Sequence, residues 1–204
     1  PSVLNASDVT RAEVVDHDGR LQLVTVEAWS ARPLAADETV SDAFAPVTVM
    51  REGDRIVLDN ALVRVAVEPD GTLSSVFDLA ADREVLIPGR RANLLRLHPD
   101  HPSCFDAWEL EAQYLRAGED LTGVESIEVT ASDELRARVD VTRRFGQSRV
   151  VQSIWLDAGS AAVDLAARVD WREREKILKV SFPLDVRATH SAAEMQFGHI
   201  ERLI

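Results

Sequence analysis

Apolar residues alternate with polar residues over long stretches of this chain, and this period of two constrains the fold most strongly. Along residues 135–141 the odd positions are apolar, whereas the even positions are Arg136, Arg138 and Asp140. The same alternation runs over residues 161–171 and 176–186. Because successive side chains of a strand point to opposite faces, each stretch predicts a strand with one buried face and one wet face. Such strands are typical of antiparallel sheets.

Short turns separate the alternating stretches. Asp70-Gly71 lies between two of them, and Gly146 and Gly159 mark further corners. Asp-Gly between alternating segments is a strong hairpin signal, since glycine adopts positive φ without a steric penalty. We find no amphipathic helix, although residues 107–116 could form one short helical turn. The sequence therefore predicts an all-β protein built as an antiparallel β-sandwich.

A domain boundary is predicted near residue 46. Residues 1–46 are polar and uneven and predict a small β module with short strands. Residues 47–204 carry the stronger alternation and predict the β-sandwich domain. The chain starts at Pro1 and stops soon after a strand-like segment, so we expect it to be part of a longer protein.

Composition excludes several classes of partner. The formal net charge is -12, which disfavours binding to the phosphate backbone of nucleic acids. No apolar run reaches the roughly 20 residues that a membrane helix needs. Cys104 is the single cysteine, so an internal disulfide is impossible. With no signal peptide at the start, a cytoplasmic location is the simplest expectation.

The segment 93–114 concentrates aromatic, acidic and histidine residues in a loop-like stretch. Asp106, Trp108 and Tyr114 have the chemistry of a sugar site, where an indole face packs on a pyranose ring and a carboxylate accepts hydroxyl hydrogen bonds. The alternative is a long loop folded back on the sheet, with Trp108 as its anchor and Asp106 capping a turn. Residue types alone favour the second interpretation.

Two further patterns in this segment have a catalytic or metal-binding interpretation. Asp106, Glu109 and Glu111 could supply the two carboxylates that a glycosidase requires, but acidic residues so close in sequence often coincide by chance. His98 and His101 have the spacing of metal ligands, but only Cys104 and nearby carboxylates could complete a set. We therefore predict no metal site, and we interpret the histidines as solvated loop residues.

The segment 198–202 combines a histidine, an acid and a base. His199, Glu201 and Arg202 could act in general acid–base chemistry. The alternative is a strand end whose Glu201 and Arg202 pair with neighbouring side chains. The residues alone favour this alternative.

Several motifs, taken in order, resemble the β region of family 38 glycoside hydrolases, the α-mannosidases. The resemblance is carried by Asp106-Ala107-Trp108, by Trp171 followed by a charged turn and residues 178–183, and by Phe197-Gly198-His199-Ile200-Glu201-Arg202. Weaker matches at residues 3–5, 60–67, 71–83 and 143–145 extend it over nearly the whole chain. The chain departs from the family pattern in two places. Glu109 stands where the family usually has a second aspartate directly after Asp-Ala-Trp, and Leu203-Ile204 stands where it often has Pro-Thr after Glu-Arg.

The resemblance implies a fold and a division of labour. In that family a separate α/β barrel carries the aspartate nucleophile and a zinc ion, and the β region is a galactose-mutarotase-like supersandwich that packs on the barrel. No residue of this chain matches the nucleophile or zinc motifs, so we assign it no catalytic residue, no metal and no cofactor. Zinc is expected in the barrel of the parent enzyme, which would hydrolyse α-mannosides with retention.

The resemblance also implies which residues meet the substrate. The expected substrate-binding residues of the β region are Asp106, Trp108, Glu109, Tyr114, His199 and Arg202. The expected partners are an α-mannoside and the barrel of the same polypeptide. Without the barrel, an exposed apolar face would favour a homo-oligomer.

Two other functions stay open. A self-contained mutarotase or epimerase on the same sandwich would use His199 with Glu201 or Asp106. A carbohydrate-binding module without chemistry would use Trp108 to stack on a sugar.

Overall fold

Antiparallel β-strands make up almost all of the regular structure. The computed structural model describes residues 1–34, 44–105 and 108–204. Within these residues it has 18 strands and one short 3-10 helix, Ala112–Arg116. The predicted all-β class is confirmed. The strands are β1 (Ser2–Asn5), β2 (Arg11–His17), β3 (Arg20–Val26), β4 (Ser30–Pro33), β5 (Thr48–Glu52), β6 (Arg55–Asp59), β7 (Val63–Val67), β8 (Leu73–Asp78), β9 (Arg83–Glu84), β10 (Leu94–Pro99), β11 (Glu119–Asp120), β12 (Ser126–Ser132), β13 (Arg136–Phe145), β14 (Ser148–Asp157), β15 (Asp164–Asp170), β16 (Lys176–Ser181), β17 (His190–Met195) and β18 (Gly198–Leu203).

The first four strands form two small antiparallel sheets, in which β1 pairs with β4 and β2 with β3. The buried Asn5 ties them together, because its amide nitrogen donates hydrogen bonds to the carbonyl oxygens of Val9 at 2.8 Å and Val26 at 3.0 Å. Val14, Leu21 and Leu23 pack against the main core. The boundary near residue 46 stays a prediction.

The main sandwich packs a five-stranded sheet, β5 to β9 in order, against a four-stranded sheet, β12 to β15 in order. The predicted apolar row on β13 is buried: Ala137, Val139 and Val141 are 0% exposed. They meet Ile56, Leu58 and their neighbours from the opposite sheet in one apolar cluster. Because the packed sheets bury every second residue of β13, the apolar alternation in the sequence agrees with the sandwich architecture.

A third sheet, with strand order β11-β10-β16, covers the far end of β13 and β14. Leu95 and Leu97 of β10, with Leu121 directly after β11, pack there on Phe145 and Val150 in a second apolar cluster. An isolated bridge between Leu86 and Leu184 links this region to the five-stranded sheet.

A buried polar layer separates the two apolar clusters along β13 and β14. Arg143 is 1% exposed, and its guanidinium donates hydrogen bonds to Gln152 Oε1 at 3.1 Å and to the carbonyl oxygens of Gly123 and Asp70. Burial lowers the pKa of Arg143, opposed by the nearby Asp70. Gly71 is required beside it, because its φ is +73 and an added Cβ would overlap Val141 and Arg143.

The predicted apolar rows of β15 and β16 are not buried as their pattern suggested. Leu165, Val169 and Trp171 are 38%, 42% and 39% exposed, and Val180 and Phe182 are 49% and 40% exposed. β15 and β16 are both edge strands of their sheets, and no described residue fully covers these apolar faces. The alternation correctly identified strands. A period of two does not reveal whether other residues of this chain cover the apolar face of a strand.

The last two strands, β17 and β18, form a hairpin in which every residue is exposed. Its strands pair over six residues each, from His190 with Leu203 to Met195 with Gly198. Phe197 at the turn has φ 67. Among the described residues, no helix has the length and apolarity needed to cross a bilayer.

Candidate functional site

The predicted recognition loop leaves the sheet at the end of β10 and returns to the same strand. After Pro99 the chain runs outward, and β11 then pairs back on β10, with Glu119 opposite Leu97 and Asp120 opposite Arg96. The two ends of the loop are therefore held side by side by backbone hydrogen bonds. A rigid base of this kind positions an exposed loop for binding.

Tyr114 and His98 anchor the returning half of the loop. The His98 side chain is 2% exposed and its Nδ1 lies 2.9 Å from the carbonyl oxygen of Tyr114. The two rings meet edge to face, with centroids 5.2 Å apart. From the neighbouring β16, Lys179 Nζ lies 4.2 Å from the centre of the Tyr114 ring and donates a hydrogen bond to its hydroxyl. Tyr114, predicted to touch substrate, thus also makes structural contacts.

The outer half of the loop turns at Phe105, whose φ is 53. Its carbonyl oxygen accepts hydrogen bonds from the N–H groups of Trp108 at 2.6 Å and Glu109 at 3.1 Å. The Trp108 side chain is 90% exposed, so the interpretation of Trp108 as an anchor folded on the sheet is wrong. The predicted site residue Asp106 lies outside the described residues.

The remaining carboxylates of the loop are engaged locally. Glu111 accepts a hydrogen bond from the Ser103 hydroxyl at 2.6 Å, and this bond, with a weaker one from the Ser103 N–H, lowers the pKa of Glu111. Cys104 Sγ lies 3.5 Å from Glu109 Oε2. Glu109 is exposed and Glu111 is partly buried, and the role of Glu109 in substrate binding stays a prediction.

The two histidines of the segment have different environments. His101 is exposed and its Nδ1 lies 3.4 Å from Glu175 Oε2, as expected for a solvated loop histidine. His98 is buried, so that interpretation is wrong for His98. The physical reason is that residue 98 still belongs to β10, where Tyr114 of the returning loop covers its side chain. Within the described ranges, no three His, Cys, Asp or Glu side chains are grouped to hold a metal ion.

His199 and Arg202 stand on opposite faces of the terminal hairpin. On β18 they are separated by three positions, and they pair with Glu194 and Ser191 respectively on β17. Since side chains alternate between faces, they cannot reach one ligand from the same face. His199 Nε2 lies 3.9 Å from Glu201 Oε1, so Glu201 pairs with a neighbour as predicted, although residues 198–203 form a full strand rather than a strand end.

The structure thus keeps Trp108, Glu109 and Tyr114 in one loop and leaves His199 and Arg202 on a separate hairpin. Sequence reasoning missed His98 and Lys179 as supports of that loop. Their signal was weak, because neither departs from the types expected on a strand. Both become visible only when β10 and β16 are paired, which places His98 opposite Ile177 and Lys179 opposite Arg96.

Comparisons with known proteins agree with the motif resemblance. Residues 58–204 match the family described as the glycosyl hydrolases family 38 C-terminal domain. The chain is 32% identical over 187 residues to α-mannosidase 2C1 of Homo sapiens, covering 89% of this chain and 18% of that protein. It is 31% identical over 167 residues to α-mannosidase G of Dictyostelium discoideum, covering 77% of this chain and 15% of that protein.

A solved structure supports the fold independently of sequence. The crystal structure of an α-mannosidase from Enterococcus faecalis V583 superposes with a TM-score of 0.60 at 10% identity, covering 99% of this chain and 27% of that chain. The chain therefore spans less than a third of each of these proteins. From the family match and the identity to the human and Dictyostelium proteins, we conclude that this chain belongs to the C-terminal domain of family 38 glycosyl hydrolases.

Proposed function

We propose that this chain is the non-catalytic β-sandwich part of a longer enzyme that hydrolyses α-linked mannosides with retention of configuration. The observation that carries the proposal is the match of residues 58–204 to the family 38 C-terminal domain, together with α-mannosidases as relatives. A retaining glycosidase needs a nucleophile and an acid, which the resemblance assigns to a barrel outside this chain. The zinc ion of that barrel would likewise be bound there.

Exposed apolar surface supports a role in packing on the rest of that enzyme. The half-exposed apolar side chains of residues 165–186, above all Val169, Trp171 and Val180, would lose contact with water against a covering layer. An isolated two-stranded hairpin is at best marginally stable in water, yet β17 and β18 have no covering layer among the described residues. We propose the barrel of the same polypeptide as the partner; copies of the isolated chain would associate through the same surface.

The loop that carries Trp108 is the proposed contribution to the sugar pocket. An exposed indole on a loop with a fixed base can stack on a pyranose ring without a conformational search. In this proposal Glu109 and Asp106 accept hydrogen bonds from sugar hydroxyls, Tyr114 holds the loop in place, and His199 or Arg202 contacts the pocket edge or the barrel.

The acidic composition and the single cysteine support a cytoplasmic enzyme that binds neither nucleic acid nor membranes.

The test compares Trp108→Ala with Trp29→Ala in the full-length enzyme. Trp29 is 72% exposed but lies in the first module, so it controls for the loss of an exposed indole. With an aryl α-mannoside we expect Trp108→Ala to raise KM about tenfold, as the loss of one stacking contact would. Unchanged kinetics for Trp108→Ala would retire the pocket role. The 204-residue chain alone should show no turnover, with or without zinc.

The alternative of a self-contained mutarotase or epimerase requires His199 and a carboxylate to act within this chain. Equilibration of sugar anomers by the isolated chain, abolished by His199→Ala, would support that function over the proposed one.

A further inference from the structure

A cleft that shares no lining residue with the loop of Trp108 lies between the first module and the main sandwich. It encloses about 500 Å³, within the range of small-molecule sites. One wall is the start of β2, around Arg11 and Glu13, and the other comes from the adjoining ends of β13, β14 and β15. Neither the motif resemblance nor the family comparison assigns a role to this cleft.

The wall that the main sandwich contributes consists of side chains from one face of the paired strands β13, β14 and β15. Trp155 on β14 stands opposite Asp164 on β15, and Asp157 on β14 stands opposite Arg136 on β13. Because directly paired residues share a face and alternate residues of one strand do too, all four side chains point to the same side. Arg138, Asp140 and Ser153 lie near Trp155 on this outer face, which also carries Val151 and Ala166.

The arginine is held in place before any ligand arrives. Arg136 makes a bidentate pair with Asp157, at 2.6 Å and 2.8 Å, and its guanidinium carbon lies 5.6 Å from the Trp155 ring centre. The hydrogen bond to Asp157 is the main cause of the raised pKa of Arg136. A fixed guanidinium and a half-buried indole need little ordering on binding, which lowers the entropic cost.

The Asp164 carboxyl of this wall has a shifted pKa. Burial, then repulsion from Asp157, raises the pKa of Asp164. The Asp164 carboxylate can accept hydrogen bonds from the hydroxyl groups of a ligand. Asp164 is the first residue of β15, and its partly buried side chain lines the cleft.

The charge balance decides among ligand classes. The lining holds two cations, Arg11 and Arg136, and three carboxyl groups, Glu13, Asp157 and Asp164, so it does not favour an anion. The part of the chain that the structure describes has no grouping of three metal-ligating side chains, which disfavours a cation site. Donors, acceptors and an apolar ring together suit a neutral ligand with many hydroxyl groups.

We infer that this cleft is a second saccharide-binding site, in which a pyranose ring lies against Trp155 and its hydroxyls bond to Asp164, Glu13 and Arg136. The site would hold a mannoside away from the pocket to which Trp108 contributes. The choice of mannose among neutral sugars rests on the proposed function, whereas the location and the class of ligand rest on the cleft.

Nuclear magnetic resonance of the indole N–H groups tests the site directly. The chain has four tryptophans and therefore four such signals, and the signal lost in Trp155→Phe identifies residue 155. On titration with α-linked mannobiose into the tens of millimolar range, we expect a saturable shift of the Trp155 signal. Absence of that shift overturns the site. If the Trp108 signal alone moves, the cleft is excluded while the proposed role of the loop is upheld.

A pair of matched variants tests the role of the carboxyl group. Asp164→Asn replaces one acceptor oxygen of the carboxylate in the cleft with an NH2 donor, and Asp170→Asn makes the same change on the same strand outside the lining. We expect the affinity reported by the Trp155 signal to fall about fivefold in Asp164→Asn, as for one lost hydrogen bond, and to be unchanged in Asp170→Asn. Equal effects of both variants would overturn the assigned contact.

Discussion

The Nδ1 atom of His98 lies 2.9 Å from the carbonyl oxygen of Tyr114 and ties the recognition loop to β10. A carbonyl oxygen can only accept, so Nδ1 carries the proton and the tautomer is fixed. The imidazole is buried and also meets the Tyr114 ring edge to face. One side chain therefore sets where the loop that carries Trp108 returns to the sheet.

Replacing His98 should destabilise the protein through this contact. In His98→Ala the Tyr114 carbonyl loses its donor and the buried ring leaves a void, so we expect the free energy of unfolding to fall by about 2 kcal/mol. The exposed His101 is the matched control, and His101→Ala should stay within about 0.5 kcal/mol of wild type. Urea unfolding followed by circular dichroism measures both. Equal losses in the two variants would contradict the anchor.

Gly118 should be intolerant of a side chain because His98 occupies the space beside it. A Cβ at residue 118 would overlap Cε1 and Nδ1 of the imidazole, whereas a Cβ at Gly123 would meet nothing within 4 Å. We expect Gly118→Ala to cost about 1 to 3 kcal/mol, as overpacking in a core does, and Gly123→Ala to be near neutral. Thermal unfolding of both variants provides the comparison. A neutral Gly118→Ala would mean that the imidazole moves freely.

The buried polar layer predicts a large difference between two adjacent arginines. Arg143→Leu would leave the carbonyl oxygens of Asp70 and Gly123 and the amide oxygen of Gln152 without their donor, at a cost of about 3 kcal/mol or more. Arg144 is 63% exposed in its side chain and pairs with Glu125, so Arg144→Leu should cost less than about 1 kcal/mol. Chemical denaturation distinguishes the outcomes, and similar midpoints would refute a structural role for the layer.

Asp164 gives a prediction for the pH dependence of stability. Its pKa is raised by burial and by Asp157, so the folded state binds this proton more readily than the unfolded state. Its stabilising effect is complete below the unfolded pKa of about 3.9 and is lost as the pH rises through the folded pKa. At neutral pH the carboxylate therefore opposes folding. Because the group is largely solvated, Asp164→Asn should stabilise by only about a few tenths of a kcal/mol.

Thermal unfolding from neutral pH down to about pH 4 would measure this effect, with Asp170→Asn as the variant of the same strand. The gain from Asp164→Asn should shrink as the pH falls. A gain that grows toward acid pH would mean that the folded-state pKa is lowered rather than raised.

Local patterns were sufficient to predict strands and turns. The alternation over residues 135–141 correctly placed Ala137, Val139 and Val141 in the core, because a strand shows its burial in every second residue. Asp70-Gly71 correctly marked a corner, since the turn needs a positive φ at Gly71. The same patterns on β15 and β16 correctly gave strands but not their exposure, which depends on what covers them.

The candidate site could be predicted only in part. The residue types of segment 93–114 favoured a loop with Trp108 anchored on the sheet, and the 90% exposure of Trp108 shows that this interpretation is wrong. The interpretation of His98 as a solvated loop residue is wrong, because β10 extends to Pro99 and the returning loop covers the imidazole. His199 and Arg202 were grouped by closeness in sequence, whereas their spacing of three places them on opposite faces of β18.

By itself, the sequence determined the all-β class, the principal turns and the family resemblance, because each depends on residues that are close to one another along the chain. Only the tertiary structure brought Trp155, Asp164 and Arg136 to one cleft, with Glu13 of the first module facing them. It alone placed Lys179 on Tyr114 and buried Arg143 between two apolar clusters. The physical reason is that these contacts join strands far apart in sequence, and pairing and burial of whole faces, rather than local propensity, select them.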